Sequence, residues 1–257
     1  MNEPLEHTNQ TENDSLEQWF ASELGTELLD AQKRAINRLL PSLFGYYLVE
    51  IAVNPLMQLS AESLIGNKVV VSSEFKLGLS DSAILCEPTE LPFEHNSVDV
   101  VLLHHTLDFT DNPHQILREA NRILRPGGYI IVLGFNPNSW WGMRNKCCTK
   151  VRAPWQRGLF ISQRRLGDWM SLLGLTQLRC MTDYYLPPFA SKKWRQRFAK
   201  VQTFGRRSLP NNGAFTVTLA RKDVEGTTPV KKLQFAKKFY TLPVRKPAIR
   251  EQIRERS

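Results

Sequence analysis

The run Val98–Leu103 (VDVVLL), followed by Asn112-Pro113 and then by Tyr129–Gly134 (YIIVLG), constrains the fold of this chain more than any other feature. VDVVLL is nearly continuous in apolar residues, the pattern of a parallel strand covered on both faces. Asn112-Pro113 sets a capping residue ahead of a proline at the first helical position. Ile116, Leu117, Ala120, Ile123 and Leu124 then recur at helical spacing. Pro126-Gly127-Gly128 ends that helix and turns the chain into the second strand. Strand, helix and strand in that order make a βαβ unit, which commits the chain to a parallel sheet with helices packed on it.

The flanking segments extend the same scheme. From Asp14 the pattern is helical, with Leu16, Trp19 and Phe20 on one face and Gly25 as the stop. Thr26 is the expected cap of a second helix, whose stripe is Leu28, Leu29, Ala35, Ile36, Leu39 and Leu40 before Pro41 ends it. Tyr46–Val53 reads as a buried strand, residues 54–67 as a short helix or loop, and Lys68–Ser72 as the next strand. Ala83–Cys86 is a short strand. Gln163–Leu173 is a helix with Leu166, Trp169, Met170 and Leu173 inward, and Gln177–Tyr185 and Ala214–Ala220 close the sheet. The expected fold class is therefore α/β: a single Rossmann-like domain with a mostly parallel seven-stranded sheet and helices on both faces.

Composition narrows the function classes. The 257 residues contain no run of about 18 apolar residues, so no membrane span is expected. The polar, acidic start MNEPLEHTNQTEND lacks a signal core, and a cytoplasmic location is expected. The four cysteines show no CxxC pattern and no HxxxH accompanies them, so reduced thiols and no metal site are expected. The net charge of +9 is uneven: residues 1–19 hold five acids and no Lys or Arg, whereas residues 223–257 hold nine Lys/Arg and four acids. A second basic stretch runs from Arg144 to Arg165. Both are candidate contacts for nucleic acid, and both also suit a solvated surface.

Residues 91–135, LPFEHNSVDVVLLHHTLDFTDNPHQILREANRILRPGGYIIVLGF, carry a specific resemblance. Leu91-Pro92-Phe93, then Asp99 at the start of a strand, then Leu124-Arg125-Pro126-Gly127-Gly128 is similar in order and spacing to the second half of class I S-adenosylmethionine-dependent methyltransferases, of the type 11-like kind. Trp19-Phe20 and Gly134-Phe135-Asn136-Pro137 resemble marks of a small bacterial subgroup. The resemblance implies a methyltransferase-like domain over residues 14–222, with N-terminal helices at 14–40, a disordered segment at 1–13 and a basic arm or tail at 223–257.

It also implies S-adenosylmethionine as cofactor and an unknown methyl acceptor. On that resemblance Glu87 accepts from the adenine amino group, and Pro88 and Thr89 line the same pocket. Leu103, His104 and His105 follow the fourth strand and flank the cofactor. Glu50 matches the acidic residue of the first strand. The glycine-rich loop of the family, E/D-x-G-x-G-x-G, is altered: Ala52 and Asn54 stand at its first two glycine positions, and Pro55 lacks a backbone donor. Asn can adopt the positive φ of a glycine, so Asn54 is a tolerable replacement for one, and Glu74 is the candidate carboxylate after the second strand. No catalytic base is nominated, and His104 and His105 are expected to pack or hydrogen-bond at a strand end. Trp140-Trp141 form either an aromatic wall for a substrate or a cover on the core. Two functions stay open: a methyltransferase, and a methyltransferase-like protein that has lost the reaction and binds RNA or a protein partner.

Overall fold

The computed structural model describes residues 15–147, 153–189 and 191–224. Helical residues 15–20 (α1) lead into α2 (Glu23–Asn37). The strands are β1 (Tyr47–Ala52), β2 (Asn67–Ser72), β3 (Ala83–Leu85), β4 (Val98–His104), β5 (Leu124–Phe135), β6 (Leu175–Asp183) and β7 (Phe215–Lys222). Between them lie α3 (Pro113–Ile123), α4 (Trp140–Cys147), α5 (Gln163–Leu172), α6 (Lys192–Arg197) and α7 (Ala199–Ser208).

The strands form one seven-stranded sheet in the order β3-β2-β1-β4-β5-β7-β6. β1 pairs in parallel with both β2 and β4, and β4 with β5, while β7 runs antiparallel to β5 and β6. The order reverses between β1 and β4. In an open parallel sheet that crevice, at the carboxyl ends of the strands, is where ligands bind.

Alternation along the strands fills both faces. Val100, Leu102, Ile131, Leu133 and Phe135 pack with α2 on one face. Val101, Leu103, Ile130 and Val132 pack with α3 and α5 on the other. Asp99, at the start of β4, accepts from the amides of Tyr46 and Tyr47 at 2.7 and 2.9 Å and pairs with Arg125, fastening the amino ends of β1 and β5. The Leu91 amide donates to Glu119 at 2.9 Å, and Arg122 donates to Glu119 and to the Leu91 carbonyl. Both motif residues that carried the resemblance thus brace the fold.

Several boundaries differ from the sequence expectation. Ser22, not Thr26, caps α2, accepting from the Gly25 amide at 3.2 Å. Gly25 lies inside α2, where a Cβ would stand 2.2 Å from the Trp19 carbonyl oxygen, so it permits a close crossing and is no stop. The β1–β2 connection is a helix-free loop, and β5 begins at Leu124, through the Pro-Gly-Gly turn. Leu103 and His104 belong to β4 and do not follow it. Helices α4, α6 and α7 have no counterpart in the sequence reading. The segments expected as a disordered start and a basic arm fall almost wholly outside the described residues.

Candidate functional site

At the carboxyl edge, the tips of β1 and β2 enclose a cavity of about 20 Å³. Ala52, Val53 and Pro55 form one wall, and Ser72, Ser73, Glu74 and Lys76 the other. That space holds about one water, against the roughly 300–1,000 Å³ of small-molecule sites. The loop after β1 is folded back on Glu50. Its buried carboxylate accepts from the amides of Leu59 and Ser60 at 2.9 and 3.0 Å and from the Ser60 hydroxyl at 2.5 Å. Burial pushes the Glu50 carboxyl up from the ordinary range, and these donors pull it back.

Asn54 is buried, and its side chain accepts from the Leu56 amide at 3.0 Å in an Asx turn. Its φ is not positive; among the described non-glycine residues positive φ falls at Asn96, His105 and Tyr184. Asn54 does not use the left-handed freedom open to asparagine, because its side-chain turn redirects the loop instead.

The tips of β1 and β4 are zipped together. The Val53 amide donates to the His104 carbonyl at 3.2 Å, and the Thr106 hydroxyl to the Ile51 carbonyl at 2.6 Å. Above them a buried polar chain crosses to the N-terminal helices. Gln32 of α2 lies 3.0 Å from His104 Nε2 through Oε1 and 2.8 Å from His105 Nε2 through Nε2. His105 Nδ1 meets Asp108 at 2.7 Å, and the same carboxylate oxygen accepts from the Phe135 amide at 2.8 Å. With the amide so placed, His104 donates from Nε2 and His105 accepts there, which requires a neutral His105 ring. Burial agrees: it holds His104 well below its ordinary value and lowers His105 from 6.5 to about 3. It pushes Asp108 well above the carboxylate range.

Phe20 of α1, itself buried, packs against both imidazoles, each 6.0 Å away between ring centres. Glu17 of the same helix pairs with Lys76, a wall of the small cavity. The N-terminal segment therefore covers the β4 tip and reaches the β2 tip. Around it an aromatic cluster joins Trp19, Phe135, Trp141, Trp155 and Phe160. Trp141 is fully buried and donates to the Leu186 carbonyl at 3.0 Å, so it covers the core, while Trp140 is half exposed.

The structure brings Ala52 and Glu74 together at the cavity, and His104 and His105 together in the buried chain. It does not bring in Leu103, whose side chain is core on the α3 face. Glu87 is exposed beyond β3, with Pro88 and Thr89 half-buried beside it. Thr89 lines a separate open groove with Glu90, Leu91, Gln115, Glu119 and Arg122. The sequence reading missed Gln32, Glu17, Lys76 and Asp108. Asp108 had a local signal, standing three residues after His105, but Gln32 comes from 72 residues upstream of His104. Of the basic stretch Arg144–Arg165, Arg144 donates to the Pro188 carbonyl and residues 148–152 lie outside the described ones. Among the described residues no group of His, Cys, Asp and Glu is placed to hold a metal, and no helix is long and apolar enough to cross a membrane.

Comparison with known proteins agrees with this geometry. Residues 35–132 match the model of the methyltransferase domain family. The chain is 31% identical over 194 residues to the uncharacterized Escherichia coli K12 protein YafS, covering 75% of each. A shorter stretch of 72 residues is 35% identical to the bovine mitochondrial 2-methoxy-6-polyprenyl-1,4-benzoquinol methylase, 28% of this chain and 21% of that protein. The fold is that of a Thermotoga maritima S-adenosylmethionine-dependent methyltransferase, with a TM-score of 0.61 at 22% identity over 82% of this chain and 95% of the other. An Archaeoglobus fulgidus S-adenosylmethionine-dependent methyltransferase gives 0.56 at 13% identity over 76% and 94%. The strand order, the braced Leu-Pro-Phe and Pro-Gly-Gly motifs and these likenesses place the chain in the class I S-adenosylmethionine-dependent methyltransferase family.

Proposed function

We propose that this protein methylates an acceptor from S-adenosylmethionine held along the tips of β1, β2 and β3. One observation carries the reading: Glu74 and Ala52 face each other across the cavity between the β1 and β2 tips. A carboxylate there is the acceptor that a pair of ribose hydroxyls requires, so the donor set fits the nucleoside half of the cofactor. Glu87, exposed past β3, is available to an adenine amino group, with Pro88 and Thr89 beside it. Ala52 leaves more room for close approach than any larger residue would.

The crevice is closed in this conformation, and the space beside Glu74 holds about one water. The methionine half finds no glycine-rich cradle at Asn54-Pro55, and Phe20 covers His104 and His105. Entry therefore requires withdrawal of α1 and of the Glu17–Lys76 pair, a motion of the kind that gates many enzymes. The bound cofactor supplies a methyl group on a sulfonium centre that an aligned nucleophile takes in line. The chain's own contribution is to orient donor and acceptor and to exclude water.

Calorimetric titration with S-adenosylmethionine, beside a Glu74→Gln variant, tests the reading. Saturable binding that the variant weakens roughly 10- to 100-fold, the worth of a hydrogen bond to a charged group, is expected. Absence of binding by folded protein at millimolar cofactor would overturn it and leave a fold retained for partner binding.

A further inference from the structure

The site accounts for neither the sequence nor the surface of α6 and α7. Residues 189–209 contain seven Lys or Arg and no Asp or Glu. Two of those cations serve the fold: Arg195 is buried and pairs with Glu23 and Glu27 of α2, and Arg206 pairs with Asp183 at the end of β6. Gly205 lets α7 lie flat on the Tyr185 ring, where a Cβ would come within 2.6 Å. The inner side of this helical pair is thus fixed to the body.

The outer side is unlike an ordinary solvated face. Lys192, Lys193, Arg197 and Arg207 are exposed there. So are large apolar side chains: Trp194 is 51% and Phe204 64% exposed, and Leu209 at the end of α7 is exposed as well. Trp194 stacks on Phe198 at 6.2 Å, and the Arg197 guanidinium sits 5.7 Å over its ring. Single exposed apolar residues need no explanation. Cations interleaved with Trp, Phe and Leu on short helices, with no acid among them, are what an anionic interface receives. The rings and Leu enter the headgroup region and the cations meet its charge.

We propose that the outer face of α6 and α7 docks the protein on an anionic lipid bilayer. β6 runs parallel to β5, because both are antiparallel to β7, so Asp183 lies at the same sheet edge as Ala52, His104 and Phe135. The docked face therefore starts from the edge that carries the candidate site. An amphiphilic acceptor, drawn from the bilayer, is the acceptor class that this arrangement serves. Nucleic acid is the other anionic partner, but this face is a helix pair without the strand platform or groove on which bases stack.

The test is sedimentation of the full chain with vesicles of phosphatidylglycerol and phosphatidylcholine, against phosphatidylcholine alone. Binding only to the anionic vesicles, falling with salt, is expected. K192Q/K193Q should lower it roughly 30-fold, and W194S/F204S should also weaken it in a protein whose thermal midpoint is unchanged. No vesicle binding, equal binding to both compositions, or variants that bind like the wild type would overturn the proposal. So would binding to polyuridylate by this face without binding to vesicles. These outcomes are independent of the cofactor titration, because docking does not require the site to be loaded.

Discussion

The carboxyl edge of the sheet has two unlike halves. At the tips of β2 and β3, Glu87 stands at the surface and Glu74 is half-buried beside a small cavity. At the tips of β1 and β4, Glu50, His104, His105 and Asp108 are buried and bonded into the chain itself. One half offers its polar groups to a ligand. The other bonds its polar groups to the chain, and through Gln32 its two imidazoles hold α2 in place. Polar residues at the same sheet edge thus serve recognition where water reaches them and architecture where it does not.

The strongest break of that contrast is at Phe20. Phe20→Ala should destabilise by about 3–5 kcal/mol in urea unfolding, as for a filled core site. Phe75→Ala, beside Glu74 but exposed, should stay within about 0.5 kcal/mol. Equal effects would mean that α1 is not packed as a core element. Gln32→Leu comes next, at about 2–4 kcal/mol, because it strands one nitrogen on each of two buried imidazoles.

Protonation sharpens the comparison further. His105 titrates at about 3 when folded, against 6.5 as its ordinary value. Between those values the unfolded chain takes up a proton that the native ring refuses, so stability falls as pH drops from 6.5 toward 3 and is level above that window. His104 adds to the same slope. Asp108, raised by burial, acts in the opposite sense: its contribution is full at low pH and is lost as pH rises through its folded value. Thermal midpoints of the wild type and His105→Asn across this range should show a shallower acid limb in the variant. Identical limbs would show that the imidazole is already charged in the native state.

The smallest effect expected is at the latch. Glu17→Gln removes the charge that pairs with Lys76 at the cavity wall. If closure competes with the cofactor, this variant should bind S-adenosylmethionine up to about fivefold more tightly, by enlarging the open fraction. Weaker binding would make Glu17 a contact of the ligand.

Most of the sheet was legible because it is local. Apolar runs, Pro-Gly-Gly and the spacing of α3 are written in consecutive residues, and they fix β4, α3 and β5. The site was legible only where it is local too. Glu50 and Ala52 can be counted along β1, but the consequence of Asn54-Pro55 depends on where the loop returns to the Glu50 carboxylate, five residues further at the amides of Leu59 and Ser60. Gln32 carries no sign in the sequence that it spans two histidines from another element. Helices α6 and α7 were missed because their apolar residues stand among seven Lys or Arg and several lie exposed, and α4 because its tryptophans read equally well as wall or cover.

The most direct test of the account is amide hydrogen exchange with and without saturating S-adenosylhomocysteine. The account predicts that residues 15–20 lose protection as α1 is displaced, while residues 72–76 and 87–89 gain it. Binding that leaves residues 15–20 as protected as before, or protection that changes nowhere along the carboxyl edge, would contradict it.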